Sequence, residues 1–277
     1  MAEVKAVQMV SDPAESDAKR LSRRTTPRFR WGFCSVLVFL ILWQLVGQLK
    51  LVNPKYISMP TRVIRSGYEL LTSGNFLYHV YISLSELVIG FVLAVVLGLV
   101  LGLLMGRYRM MSGLFDPLVM ALYATPRVAL IPLFVVWFGV GIGSKIFVVF
   151  IGAIFPVLVN TTTGIRQADP LLLRAGRSYG ASERQLFTKI LLPGAIPAMM
   201  TGIRLGWGRG ILGVIIGEMY VSMAGLGHLL STAGNALRTD ELFFLVIIVA
   251  GLGYLATSGF RILERKLTPW SEEEVGA

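Results

Sequence analysis

The feature that most constrains this chain is its rhythm: six long apolar runs, separated by short segments that hold nearly all of the charge. The runs lie near residues 31–49, 80–106, 118–139, 145–164, 194–220 and 242–263. A bilayer core of about 30 Å takes roughly 20 residues of helix to cross, and each run reaches or approaches that length. Backbone in lipid has no water to bond to, so runs of this kind become helices. The expectation is an all-α membrane protein with six transmembrane helices. Composition agrees: 55% of the 277 residues are hydrophobic and 15% charged, against about 25% charged in ordinary globular domains. Mean hydropathy is +0.69. This excludes a disordered chain, a nucleic-acid-binding domain and most water-soluble enzymes. The net charge of +10 sits in loops, as in membrane proteins, and is no nucleic-acid footprint. The single cysteine, Cys34, excludes an internal disulfide and a thiolate cluster, and His79 and His228 have no metal-ligand spacing.

Segment order follows. Residues 1–30 are polar and basic and read as a disordered cytoplasmic tail. The run 31–49 is too long for a signal-peptide core and lacks a small-residue cleavage site, so it reads as an uncleaved first span. Residues 50–78 form an outer connecting segment in which Met59-Pro60-Thr61 starts a short amphipathic helix that Gly74 ends. The membrane core covers 79–265, with a loop segment 166–193 inside it, and 266–277 is a second cytoplasmic tail. With the N-terminus inside, the inner segments hold 17 Lys and Arg and the outer ones 6. That bias places both termini in the cytoplasm.

Two runs carry small residues at every fourth position: Gly90, Ala94, Gly98, Gly102 and Gly106 in one, and Ala198, Gly202, Gly206 and Gly210 in the other. Helices in lipid associate through close packing, so each stripe marks a helix–helix contact, within the chain or between subunits.

The loop between the fourth and fifth runs is the most informative segment. Asp169 suits an N-cap and Pro170 the first helical position, which predicts a helix over Leu171–Tyr179. Gly180 fits the left-handed residue that ends it. Ser182 and Gln185 make a capping box for a second short helix that ends near Leu192-Pro193. Leu171, Ala175 and Tyr179 share one face of the first helix. That face suits a groove on another protein, or a lipid surface with the arginines on headgroups.

This loop resembles the cytoplasmic signature of permease subunits of binding-protein-dependent ABC importers: Glu-Ala-Ala, three residues, Gly, nine residues, Ile, one residue, Leu-Pro. Gly180, Ile190, Leu192 and Pro193 hold that spacing, while Arg174, Ala175 and Gly176 stand at the Glu-Ala-Ala positions, two of them departing. The stretches Ala124–Arg166 and Gly202–Leu230 are similar to permeases of the nitrate, sulfonate, taurine and bicarbonate group, and the resemblance covers roughly residues 60–265. It implies a MetI-like fold with cytoplasmic coupling helices in a bacterial inner membrane. It implies a homodimer, an ATPase subunit docked on the short helix, and a periplasmic solute-binding protein on the outer face. The residues it assigns to coupling are Leu171, Arg174, Ala175, Arg177, Tyr179, Gly180, Ala181, Ser182, Leu192 and Pro193. ATP and Mg²⁺ would reside on the partner. This chain has no GxxxxGK[ST] phosphate loop, so it is expected to be neither an enzyme nor the holder of a cofactor.

Ionisable groups inside spans are costly and often functional. Here they are Glu86, Arg127, Arg204, Arg209 and Glu218. Three cations against two anions leave a small positive excess, which suits an anionic solute such as a sulfonate or nitrate, and Arg127, Asn160, Arg204, Arg209 and Glu218 are candidates for a translocation pathway. Pairing with one another or with backbone carbonyls is the alternative. Asn160 and Thr161–Thr163 also stand where Pro156 frees backbone, and Pro126, Pro132 and Pro156 permit kinks. Two other classes compete. An ion-gradient-driven secondary transporter would favour inverted repeats, and the two halves show none. A membrane enzyme would need a polar catalytic cluster, and none stands out.

Overall fold

A computed structural model describes residues 25–50, 52–53 and 56–268. It divides into two compact units, one ending at Ile64 and the other starting at Arg65. The first holds α1 (Thr25–Gln48) and the start of α2 (Pro60–Thr72). The Trp43 indole donates to the Ser58 carbonyl at 2.7 Å, and the Gln44 amide meets the Thr61 hydroxyl at 3.2 Å, so the end of α1 is pinned to the start of α2. Helix α1 begins six residues inside the predicted tail. Pro27 lies in its first turn, where a missing N–H costs nothing. Residues 1–24 of that tail, and 269–277 of the other, lie outside the described residues.

The second unit runs through α3 (Phe76–Arg107), α4 (Arg109–Ala124), α5 (Ile131–Phe138), α6 (Ile142–Arg166), α7 (Pro170–Ser178), α8 (Glu183–Leu186), α9 (Leu192–Val221), α10 (Leu226–Asn235) and α11 (Thr239–Leu267). Helix α6 is its centre: 61% of its apolar window is buried, against 6% for α11. Both small-residue stripes lie against it. A Cβ at Gly90 would come within 2.6 Å of the Ile146 carbonyl, one at Gly102 within 2.7 Å of Thr161 Cβ, and one at Gly106 within 2.7 Å of Ile165 Cβ. Each step of four on α3 matches a step of four on α6 in the same direction, so the two run parallel. On α9, Gly202 meets Pro156 and Asn160, Gly206 meets Ala153, and Gly213 meets Val148 and Val149. The numbers now run in opposite senses, so α9 is antiparallel to α6. The stripes are therefore contacts within the chain. They let three backbones approach closely enough for Leu87, Phe91, Val149, Ala153, Phe155 and Val214 to form one core.

Among the described residues, four helices are long and apolar enough to cross a membrane, or five if one bent pair is a single span. The six expected spans are thus not all recovered. Helix α1 runs 24 residues and carries the apolar stretch Cys34–Gln48. The expected third span, 118–139, is no straight rod: Arg109–Ala124 and Arg127–Phe138 meet at 90°. The cause is local. Thr125, preceding a proline, is driven to extended backbone (φ −70°, ψ 132°), and Pro126 follows it there (φ −65°, ψ 99°) with no N–H to offer. A short 3₁₀ turn, Arg127–Leu130, then leads into α5.

The second loop helix also differs from expectation. It does not end at Leu192-Pro193. Helix α8 passes through a π-turn, Phe187–Leu191, directly into α9, so one helix runs from Glu183 to Val221. The Leu192 N–H reaches back five residues to the Phe187 carbonyl. This wider turn lets the chain continue past Pro193, which has no N–H for an ordinary helical bond.

Candidate functional site

Three groups of residues can carry chemistry, one at each end of the α3–α6–α9 core and one between.

At one end stands the loop 167–191. The Asp169 side chain accepts the Leu171 N–H at 2.7 Å, and Pro170 opens α7, so the helix starts where its cap dictates. It ends on Gly180 at φ +78°. The Gly180 N–H bonds the Arg177 carbonyl and the Ala181 N–H bonds the Gly176 carbonyl, the two bonds of a Schellman turn. Ser182 and Gln185 complete the capping box, with the Ser182 N–H donating to Gln185 at 2.8 Å and the Gln185 N–H to Ser182 at 3.3 Å. Every turn of the loop is thus set by local bonds. Gly176 faces Leu186 and Ile190, where a Cβ would come within 2.7 Å of Leu186 Cδ2. The departure from the Glu-Ala-Ala pattern at this position therefore seats α7 against the following helix. Arg174 is exposed and has no recorded partner among the described residues, while Arg177 reaches Glu183 at 3.5 Å. Glu183 also takes Arg107 at 2.7 Å, which ties the loop to the end of α3. The face of α7 turned away from all this is bare: Leu171 is 70% and Tyr179 92% exposed, and Ala175 between them is exposed as well. Leu192 and Pro193 are half-buried in the continuous helix and contribute its entry, not the exposed face.

At the opposite end the polar groups are sealed in. Glu218 is fully buried and accepts from the Ser83 hydroxyl at 2.6 Å and the Gly227 N–H at 2.7 Å. Ser83 in turn accepts the Leu226 N–H at 2.7 Å. The first N–H groups of α10 are orphans by geometry, and Glu218 and Ser83 are what satisfy them. Beside them Lys145 pairs with Glu86 at 2.5 Å and donates to Ser222 at 3.1 Å. The sequence leaves open which partner Glu86 takes; the structure buries Glu86 and Lys145 as one pair. A lone lysine at the edge of an apolar run was the available signal. Glu218 therefore holds α3, α9 and α10 together and has no exposure to a passage.

Between the ends lie the remaining candidates. Arg204 pairs with Glu264 of α11 at 2.9 Å. Asn160 donates to the Pro156 carbonyl at 2.8 Å. That is not the carbonyl Pro156 orphans. The missing proline N–H frees the carbonyl four residues earlier, at Gly152, and the Arg127 guanidinium takes it at 3.1 Å. Arg127 also lies over the rings of Tyr123 and Phe155, 5.5 and 5.9 Å from their centroids. Arg127 and Arg209 line one cavity of about 270 Å³ with Thr125, Val148, Gly152 and Leu212, among others. Two of the five pathway candidates thus share a cavity.

Helices α3, α6 and α9 thus form a bundle around one glycine-seated centre, with a capped helical knuckle at one end. Residues 82–269 match the family described as binding-protein-dependent transport system inner membrane component, and the chain belongs to that family. It is similar to SsuC of Bacillus subtilis (strain 168), named as an aliphatic sulfonates transport permease protein, with 34% identity over 95% of each chain. It is also similar to the taurine transport system permease protein TauC of Escherichia coli (strain K12), 31% identical over 86% of this chain and 89% of that one. SsuC of Escherichia coli (strain K12) is 38% identical over 83% of this chain and 88% of its own. Among solved structures, a chain of the MetNI methionine ABC transporter in an inward-facing conformation matches with a TM-score of 0.57 at 21% identity, covering 70% of this chain and 96% of that one. An amino acid ABC transporter chain matches at 0.54 with 18% identity. The fold is thus that of ABC transporter permeases, and the chain is the membrane-embedded permease subunit of an ATP-driven importer, not a gradient-driven transporter.

Proposed function

We propose that this permease carries a small organic anion of the sulfonate class, delivered by a soluble binding protein at the Lys145–Ser222 end and released at the Gly180 end. The relatives named for sulfonates and taurine support the substrate class. The permease works as a homodimer in a bacterial inner membrane. Its six spans are completed by α1 and by the bent pair, and its termini and the Gly180 loop face the cytoplasm. ATP and Mg²⁺ are held by an ATPase subunit that docks on α7.

The observation that carries the coupling is the bare Leu171–Ala175–Tyr179 face on a helix fixed at both ends by Asp169 and Gly180. An exposed apolar stripe on a rigid support fits the groove of a partner protein. Moving a 1:99 population of two packings to 99:1 takes about 5.5 kcal/mol. A loop whose turns are all internally bonded can pass such work on, and a loose one cannot. The test uses the complete transporter in proteoliposomes with binding protein and a radiolabelled alkanesulfonate. Uphill uptake is expected to need ATP, and the double variant Leu171→Asp/Tyr179→Asp is expected to lose the ATPase subunit on purification. Uptake by this chain alone on a proton or sodium gradient would sink the reading.

A further inference from the structure

The charges inside the core can be paired off. Glu86 goes with Lys145, Arg204 with Glu264, and Glu218 with Ser83 and the start of α10. Among the described residues of the core two cations remain, Arg127 and Arg209, and both line the same cavity. Its wall contains no carboxylate. Arg127 spends one N–H on the Gly152 carbonyl, which leaves the rest of its five donors open. Arg209 has no recorded hydrogen-bond or ion-pair partner among the described residues, and its side chain is exposed to the cavity side. The two guanidiniums repel each other across the space. A cation at this depth is expensive unless something negative or a water-filled passage compensates it. Two of them with no acid between them define a place for an anion that is not part of the chain.

The neighbouring geometry says how the place is built. The proline in α6 frees the Gly152 carbonyl, and the Thr125–Pro126 break brings Arg127 to it. Gly152 has no side chain, so α9 passes close by, with the Arg209 carbonyl 3.1 Å from where a Cβ would stand. The same close approach sets Arg209 beside the cavity. Arg127 is thus fixed by a backbone bond and aromatic faces, and Arg209 is free to move. One anchored and one mobile guanidinium can take an oxyanion by its flat, forked donors and then let it go.

We propose that Arg127 and Arg209 form an intramembrane holding site for the transported oxyanion, with Arg127 the fixed partner and Arg209 the swinging one. This rests on the reading that the cargo is an anionic sulfonate. Arg204 and Glu218, although also within spans, take no part.

The test measures uptake of radiolabelled taurine and of an alkanesulfonate by the complete transporter in proteoliposomes with saturating binding protein, alongside binding-protein-stimulated ATP hydrolysis. Arg209 carries no structural bond, so Arg209→Gln is expected to assemble normally. Its uptake rate should fall on the order of tenfold to a hundredfold, the worth of one charge-assisted hydrogen bond, while stimulated hydrolysis continues. Arg209→Lys should recover part of the rate, and Arg209→Glu should abolish it. Arg204→Gln paired with Glu264→Gln, which removes a matched pair away from the cavity, should leave uptake within about twofold. Equal uptake by wild type and Arg209→Glu overturns the site while leaving the sulfonate reading intact. A wild-type transporter that moves neither sulfonate overturns the substrate reading, and with it this site if the cargo found is uncharged or cationic. Loss of uptake and hydrolysis together in Arg209→Gln, with assembly intact, also overturns it, because that marks a role in coupling and not in holding cargo.

Discussion

The two ends of the core are held by different kinds of bond. At the Glu218 end the charges are out of water: Lys145 and Glu86 keep 9% and 1% of their side-chain exposure. At the Gly180 end the ion pairs are wet: Arg177 and Glu183 keep 59% and 60%. Desolvated pairs are costly to break because one partner is left charged and buried, whereas exposed pairs contribute little and are screened by salt. The contrast teaches that one end is built to stay assembled. The other is an internally stiff body resting lightly on its neighbours, free to be displaced as a unit.

The strongest way to break this comparison is Lys145→Met. It strands Glu86, and a loss of about 3–5 kcal/mol is expected, read as a lower midpoint for heat-induced loss of folded, detergent-solubilised protein. Adding Glu86→Leu should restore most of it; no recovery would mean that the pair is not what the lysine serves. Next comes Gly90→Val. The added carbons meet the Ile146 carbonyl, a backbone atom that cannot step aside, and overpacking of this kind costs about 1–3 kcal/mol. It should lower the same midpoint without touching the loop. Gly180→Val comes third. A β-branched residue at φ +78° strains the turn by about 1–2 kcal/mol. Its main effect should be on coupling, with uptake falling while the midpoint moves little. Smallest is Arg107→Ala, which removes a half-exposed bond to Glu183 and should change stability by less than about 1 kcal/mol. That shift should vanish in high salt. A large salt-insensitive loss there would show the loop to be anchored as firmly as the other end.

The ease of reading the sequence follows the same division. The start of α7, the Gly180 turn and the Ser182–Gln185 box are legible because each depends on residues within five positions of one another. The stripes Gly90–Gly106 and Ala198–Gly210 announce close packing, but not that α6 is the partner of both. A stripe names one side of a contact only. Pro193 misleads as a helix terminator because the π-turn before it is a property of backbone register, not of residue type. Pro126 signals a bend without its angle, since the angle is set by what α5 packs against: Phe134 lies on Phe147 of α6, ring centroids 5.0 Å apart. The pairs Glu86–Lys145, Arg204–Glu264 and Arg127–Gly152 were illegible for one reason. Each joins helices distant in the chain, and charge alone does not say which partner is near.

One consequence of the unbroken helix from Glu183 to Val221 reaches across the bilayer. Its 39 residues make a beam about 58 Å long at 1.5 Å per residue. It bears on α6 near Gly202 and Gly206, with Glu183 about 30 Å to one side and Glu218 about 20 Å to the other. One piece of backbone thus joins the exposed knuckle to the sealed carboxylate, seated on α6 from Gly202 to Gly213 in between.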